Sequence, residues 1–269
     1  LWRTATGAGN YRHYFTDVRA GQAGLIATVE ENGKGGILVL RLKVDGGLIA
    51  EIEQLMIRDP NGYGTYEKLG APDPLWNRVT PESDRISREE LAALADKYYT
   101  GMQRNDPKGD YTFFHKDCNR IEHGRQTTNM PRSNYGHSDN SDFVTLGCEA
   151  QFQTGFLGFV TRIRDRRYAV IDEERQTVLA FGGFDHNGTI RSIPLSAGKT
   201  FHVPPYFSSP RTLTIAEGFK IADRKLRLIE ATLTESPYGM QNFYSRARAT
   251  GSAPAAPPES CDRACWQTL

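Results

Sequence analysis

Alternating apolar and polar positions mark two groups of strands. In the first, Gly21 to Glu30 and Gly36 to Val44 are β-rich and joined by the hairpin signal Glu31-Asn32-Gly33. Leu48 to Ile57 adds a third strand after the Asp45-Gly46-Gly47 turn. In the second group, Thr177 to Asp185, Thr212 to Ile221 and Lys225 to Glu235 read as strands. His186-Asn187-Gly188 and a Pro-rich loop through Pro210 separate the first two, and Ala222-Asp223-Arg224 joins the last pair. Between the groups the period becomes helical. Ser87-Arg88-Glu89-Glu90 is a capping box, and Leu91, Leu94, Ala95, Tyr98 and Met102 then recur on one helix face, which Asn105 to Gly109 ends. Asp117 to Glu122 and Arg125 to Thr128 predict a short hairpin around His123-Gly124. Phe152, Phe156, Phe159 and Ile163 mark a second amphipathic helix. This order predicts an α+β fold with helices packed on one face of a curved antiparallel sheet.

The two strand groups resemble each other in detail. Gln22 matches Gln176 and Leu25 matches Leu179 at an offset of 154, and Asn32-Gly33 matches Asn187-Gly188 at 155. Lys43-Val44 matches Lys220-Ile221 and Ile52-Glu53 matches Ile229-Glu230 at 177. Offsets that change only in loops predict two tandem copies of one unit. The expected organisation is a partial domain over 1–60, a linker over 61–86, a complete domain over 87–245 and a Pro/Ala-rich tail over 246–269. The Pro-, Gly- and Asn-rich stretch from Asp59 to Glu82 supplies the linker signal.

Composition narrows the function classes. The chain has 269 residues, with 33 basic against 32 acidic, a formal charge of +1, and no basic run to favour nucleic acid. No apolar stretch approaches the roughly 20 residues that span a bilayer. The sequence opens on Leu1 rather than Met, so the lack of a leader is uninformative. Cys118, Cys148, Cys261 and Cys265 allow three pairings; Cys118 and Cys148 flank a polar loop that a disulfide would staple, with unpaired thiols as the alternative. A disulfide there would point to a periplasmic or secreted protein.

Residues 87–240 resemble the SnoaL-like branch of the nuclear transport factor 2-like superfamily. The likeness rests on the capped first helix, on Cys118-Asn119-Arg120-Ile121-Glu122, and on the aromatic helix ending in Arg164-Asp165-Arg166-Arg167-Tyr168. It rests also on the closing stretch from Ile229-Glu230-Ala231 to Pro237-Tyr238-Gly239-Met240. The resemblance implies a cone with a pocket at its open end, used by dehydratases, isomerases, cyclases and lyases and by many non-catalytic modules. By the same likeness Leu1 to Tyr14 would align with Gly155 to Tyr168 as the last helix of a first copy. Cys261-Asp262-Arg263-Ala264-Cys265 is similar to the opening segment of two-domain bacterial members. A permuted or tandem order, or a truncated front half with an unrelated tail, would each account for this asymmetry.

Acid–base work in an apolar pocket needs a titratable group on an apolar face, where burial moves a carboxyl toward neutrality. Glu217 shares a strand face with Leu213, Ile215 and Phe219, and its first-copy counterpart is Leu40, so the fold itself does not require an acid there. Glu217 is the expected base, with Tyr168 polarising a carbonyl or Arg167 holding an enolate or carboxylate; His13 is the attractive base of the first copy. Arg120, Glu122, Tyr98, Phe152, Phe156, Phe159 and Glu230 are expected to contact substrate. Glu230 is matched by Glu53, which favours an architectural role. Asp185-His186 reads as an exposed turn. His115, His123, His137 and His202 lack ligand spacing, and no phosphate loop or dinucleotide fingerprint is present, so neither metal nor cofactor is expected.

The function expected is cofactor-independent lyase, dehydratase or isomerase chemistry on a small apolar molecule, aromatic or polyketide-like. The alternative is a non-catalytic ligand-binding or association module. For association, the two copies pack as an internal pseudo-dimer or each pairs with another chain.

Overall fold

The computed structural model describes residues 1–131, 142–242 and 244–245. Leu1–Tyr238 form one compact unit, and Gly239–Leu269 a second in which the Ser245 amide donates to Asn242 Oδ1 at 3.0 Å. His137, Cys261, Cys265 and the tail from 246 onward lie outside the described residues.

The first unit is α+β. Strands β1 (Ala5–Asp17), β2 (Gln22–Glu31), β3 (Lys34–Asp45) and β4 (Leu48–Ile57) form a four-stranded antiparallel sheet in chain order. Asn32 and Gly33 close the β2–β3 hairpin with φ of 51° and 70°, the positive pair that a two-residue turn needs. After helix α1 (Pro60–Leu69) and helix α2 (Arg88–Met102) come β5 (Phe114–Glu122), β6 (Arg125–Gln126) and helix α3 (Cys148–Gln153). Strands β7 (Arg162–Asp172), β8 (Thr177–His186), β9 (Ser192–Pro194), β10 (Thr200–His202), β11 (Arg211–Ala222) and β12 (Lys225–Ser236) complete the chain order. The second sheet has six strands in the order β6-β5-β12-β11-β8-β7, antiparallel except where β12 runs parallel to β5; β9 and β10 pair separately.

Two apolar cores explain the layering. On one face of the six-stranded sheet, α2 and α3 supply Leu91, Tyr98, Tyr99 and Phe152 against Val178, Phe184, Ile215 and Phe219. On the other, Tyr11, Phe15, Ile26 and Val39 of the first sheet meet Val170, Leu179, Phe181 and Ala216, with Tyr66 and Trp76 closing the edge. All ten residues of β8 are therefore buried, as for a strand covered on both faces. Gly24 permits the close approach of the layers, because a Cβ there would lie 2.4 Å from Leu179 Cδ2.

Three expectations are corrected. Residues 5–17 are a strand, not the end of a helix: Tyr11, His13, Phe15 and Asp17 are buried while Arg12, Tyr14 and Thr16 are exposed, a period of two. The aromatic segment is not one helix either. Helix α3 stops at Gln153, Gly155 adopts φ 79°, a short 3-10 turn carries Phe156–Phe159, and Arg164 to Tyr168 lie in β7. The helix-terminus reading of those arginines falls with it. Finally, the expected linker contains α1, and its Tyr66 and Trp76 are core residues.

Candidate functional site

Helix α2 begins at Ser87, whose hydroxyl accepts from the Glu90 amide while Glu90 accepts from the Ser87 amide. This cap and the buried stripe Leu91, Ala95, Tyr98, Tyr99 and Met102 set the helix over the sheet. Tyr98 and Tyr99 face β11, where Glu217 stands between Ile215 and Phe219 with 1% of its surface exposed. Burial, followed more weakly by the charge of Glu122, pushes the Glu217 carboxyl up to about 8; Arg120 and the nearby Tyr98 and Tyr99 hydroxyls pull it back only partly. Burial and then the charge of Glu217 raise both tyrosines well above their ordinary range. Among the described residues neither Glu217 Oε2 nor the Tyr99 hydroxyl makes a hydrogen bond of ordinary length and angle, although the two groups adjoin. Two adjoining buried groups, an acid and a hydroxyl, thus remain unsatisfied in an aromatic surround.

Arg120 reaches this cluster from β5. Its Nε donates to Thr127 Oγ1 at 3.0 Å and lies 3.2 Å from Glu122 Oε1, while Nη2 donates to Gln151 Oε1 at 3.0 Å. Gln151 in turn donates to the carbonyls of Thr127 and Phe143 at 2.6 and 2.7 Å. The disulfide Cys118–Cys148 ties β5 to the start of α3, with a Cα–Cα distance of 5.8 Å. It therefore braces the two elements that carry Arg120 and Gln151. Burial opposes the Arg120 charge, but Tyr98, Glu122 and Glu217 together raise its pKa.

The other candidates divide between the two faces. Tyr168 is on the Glu217 side, its ring stacked on Tyr99 at 6.3 Å and its hydroxyl donating to Asp96. Phe152 packs against Tyr98 at 5.4 Å; Phe156 and Phe159 join Phe143 and Phe201 in an aromatic group farther along. Arg167, His13 and Glu230 lie between the sheets and do not reach Glu217. Arg167 pairs with Glu53, which Arg41 also holds at 2.8 Å. Glu230 accepts from the Tyr11 hydroxyl at 3.0 Å and contacts His13 Nδ1 at 2.7 Å, all three essentially without solvent exposure.

His186 is not an exposed turn residue. Strand β8 extends through it, leaving it 3% exposed between the rings of Phe159 and Phe207. Asp185 points to the opposite face, where Arg162, Arg164 and Thr212 donate to it, so the two do not form a dyad. The Pro-rich loop hides this in the sequence, because its aromatic residues fold back over the strand end. Tyr99 and Gln151 were also missed; helical spacing from Ala95 could have revealed Tyr99, while nothing marks Gln151. An open groove of about 250 Å³ lies elsewhere, between residues 16–19 and 171–175, and none of these candidates lines it. Among the described residues no group of three or more His, Cys, Asp or Glu is arranged to hold a metal ion, and no helix is long and apolar enough to cross a membrane.

These features define an α+β protein with a buried, proton-bearing acid between helix and sheet. The chain belongs to the family described as Domain of unknown function (DUF8021), whose model matches residues 84–233, a span that includes Tyr98, Tyr99, Arg120, His186 and Glu217. No curated protein matches it. Similar solved structures include a candidate polyketide cyclase from Xanthomonas campestris pv. campestris, 17% identical with a TM-score of 0.33, covering 55% of this chain and 92% of that one. AclR, a candidate hydroxylase from Streptomyces galilaeus, is 13% identical with a TM-score of 0.32 over 64% of this chain and 91% of its own. AusH from Aspergillus nidulans is 13% identical with a TM-score of 0.32, covering 60% and 95% respectively. Scores of this size assign no reaction.

Proposed function

We propose that residues 87–238 form a SnoaL-like cone performing cofactor-independent proton transfer on a small apolar, aromatic or polyketide-like molecule. The observation that carries this reading is the unsatisfied pair of Glu217 Oε2 and the Tyr99 hydroxyl. In its ionised form Glu217 takes a proton from carbon beside a substrate carbonyl. The released electron pair moves onto the carbonyl oxygen, where the Tyr99 hydroxyl stabilises the enolate by hydrogen bonding. Protonated Glu217 then returns the proton to another carbon, giving isomerisation, or to a departing hydroxyl, giving dehydration. Tyr99 replaces the expected Tyr168 and Arg167 in this role, because Tyr168 is engaged by Asp96 and Arg167 by Glu53.

The tandem arrangement belongs to the same reading. Strands β1-β2-β3-β4 neighbour one another in the order that β7-β8-β11-β12 repeats. By the sequence offsets His13 corresponds to Arg167 and Glu53 to Glu230. The contacts His13–Glu230 and Arg167–Glu53 are therefore reciprocal, as across a two-fold axis, which supports an internal pseudo-dimer. The disulfide favours an oxidising compartment.

The test starts with mass-spectrometric identification of small molecules that co-purify with the protein. The captured molecule is then incubated in D2O with protein carrying Glu217 or Glu217→Gln. Deuterium entering carbon only with Glu217 supports the mechanism. Binding without exchange in either case leaves the non-catalytic module and removes the enzyme.

A further inference from the structure

The geometry points to a second ligand-binding station at His186, built to accept a hydrogen bond from the hydroxyl of a flat aromatic molecule. It goes beyond the acid–base reading of Glu217 and does not depend on it. In register His186 faces Arg211, whereas Glu217 faces Ala180. Six residues along a strand separate the two positions, roughly 20 Å at about 3.3 Å per residue. They share a sheet face but are not one constellation.

His186 Nδ1 lies 3.3 Å from the Phe159 carbonyl oxygen, which can only accept, so Nδ1 must carry the proton. Burial pushes the imidazole down to about 4, so the ring is neutral at ordinary pH and Nε2 presents a lone pair. That atom is buried and meets no hydrogen-bond donor among the described residues. An unmet acceptor at this depth is costly unless something else supplies the donor.

The surroundings select the donor's scaffold. Phe159 stacks on the imidazole with centroids 5.4 Å apart and planes at 27°, and Phe207 covers it at 4.5 Å. Phe201 extends the wall from Phe159 at 6.1 Å. Phe201 and Phe207 both come from the segment between β8 and β11, whereas Asn32-Gly33 alone turns the chain at the corresponding place between β2 and β3. The longer connection thus builds aromatic walls around one lone-pair acceptor. A phenol or a comparable aromatic hydroxyl offers both the flat face and the O–H that this arrangement receives.

The test compares 2-naphthol with 2-methoxynaphthalene, which keeps the rings but cannot donate. In protein labelled with 15N-histidine, long-range proton–nitrogen correlation should show the His186 Nε2 resonance moving with 2-naphthol and not with its methyl ether. Titration should give roughly tenfold tighter binding of 2-naphthol, the scale of one buried hydrogen bond. His186→Phe keeps an aromatic ring without the acceptor and should bind both probes equally. The NMR arm uses unaltered protein, so failure of that variant to fold leaves the test intact. Equal affinities in the unaltered protein, a preference surviving His186→Phe, an unmoved Nε2 resonance, or no binding of either probe would each overturn the inference.

Discussion

Replacing Glu217 by Gln probes the buried acid through stability as well as activity. The folded carboxyl titrates near 8 and an ordinary one near 4.5, so folding favours the protonated form. That advantage is fully present below pH 4.5 and is lost as pH rises through 8, where ionisation leaves a charge in an aromatic core. The gap corresponds to about 5 kcal/mol at about 1.4 kcal/mol for each tenfold step, an order-of-magnitude figure for a fully buried group. Glutamine has nearly the same shape and no proton to lose. Relative to unaltered protein, Glu217→Gln should gain about 4 kcal/mol between pH 5 and pH 9. At 2–4 °C per kcal/mol for a unit of this size, Tm should diverge by roughly 8–16 °C. Thermal melts of both proteins at half-unit pH intervals measure this, and subtracting the curves removes other titrations common to both. Parallel curves from pH 5 to 9 would refute the reasoning, for Glu217 would then ionise like an ordinary surface carboxyl.

Three further expectations concern the scaffold. His13→Ala should cost about 3 kcal/mol or more in urea unfolding, because it strips a partner from the buried Glu230 carboxyl; Arg167→Ala should cost nearer 1 kcal/mol, since its partner Glu53 is partly solvated and keeps Arg41. Equal costs would contradict the assignment of different environments. Gly24→Ala should destabilise by about 1–3 kcal/mol through the clash with Leu179, and a neutral result by the same assay would mean that the layers separate freely. Replacing Cys118 and Cys148 together by Ser should lower stability by about 3–4 kcal/mol, as expected for a sequence separation of 30, and should weaken any activity through Arg120 and Gln151; unchanged urea unfolding would deny the disulfide its bracing role.

The strand groups were legible because alternation acts locally: Gln22–Glu31, Leu48–Ile57 and Thr177–His186 differ from their sequence-derived bounds by a residue or so. The capped helix was equally plain, since Ser87 and Glu90 encode the cap themselves. Glu217 stood out by one polar letter on an apolar face. The failures share a cause: periodicity counts residues but does not see what covers them. Phe152 to Ile163 have helical spacing, yet Gly155 breaks the segment and strand pairing with β8 takes over at Arg162. Residues 61–86 looked like linker because Tyr66 and Trp76 find their partners far away in sequence, at Tyr11, His13 and Phe15. His186 was obscured by a following loop whose length gave no hint that it folds back.

The Tyr11–His13–Glu230 contact has one more consequence, for how the two sheets are aligned. Apolar surfaces alone tolerate sliding, because one ring or aliphatic chain replaces another at little cost. A polar contact enclosed by Phe15 and Trp76 does not tolerate it. Shifting β1 by two residues keeps the same side chains inward but presents Phe15 where His13 had been, and the Glu230 carboxyl then faces a ring that offers no donor. The contact works as a key for alignment: only one setting of the sheets lets it turn.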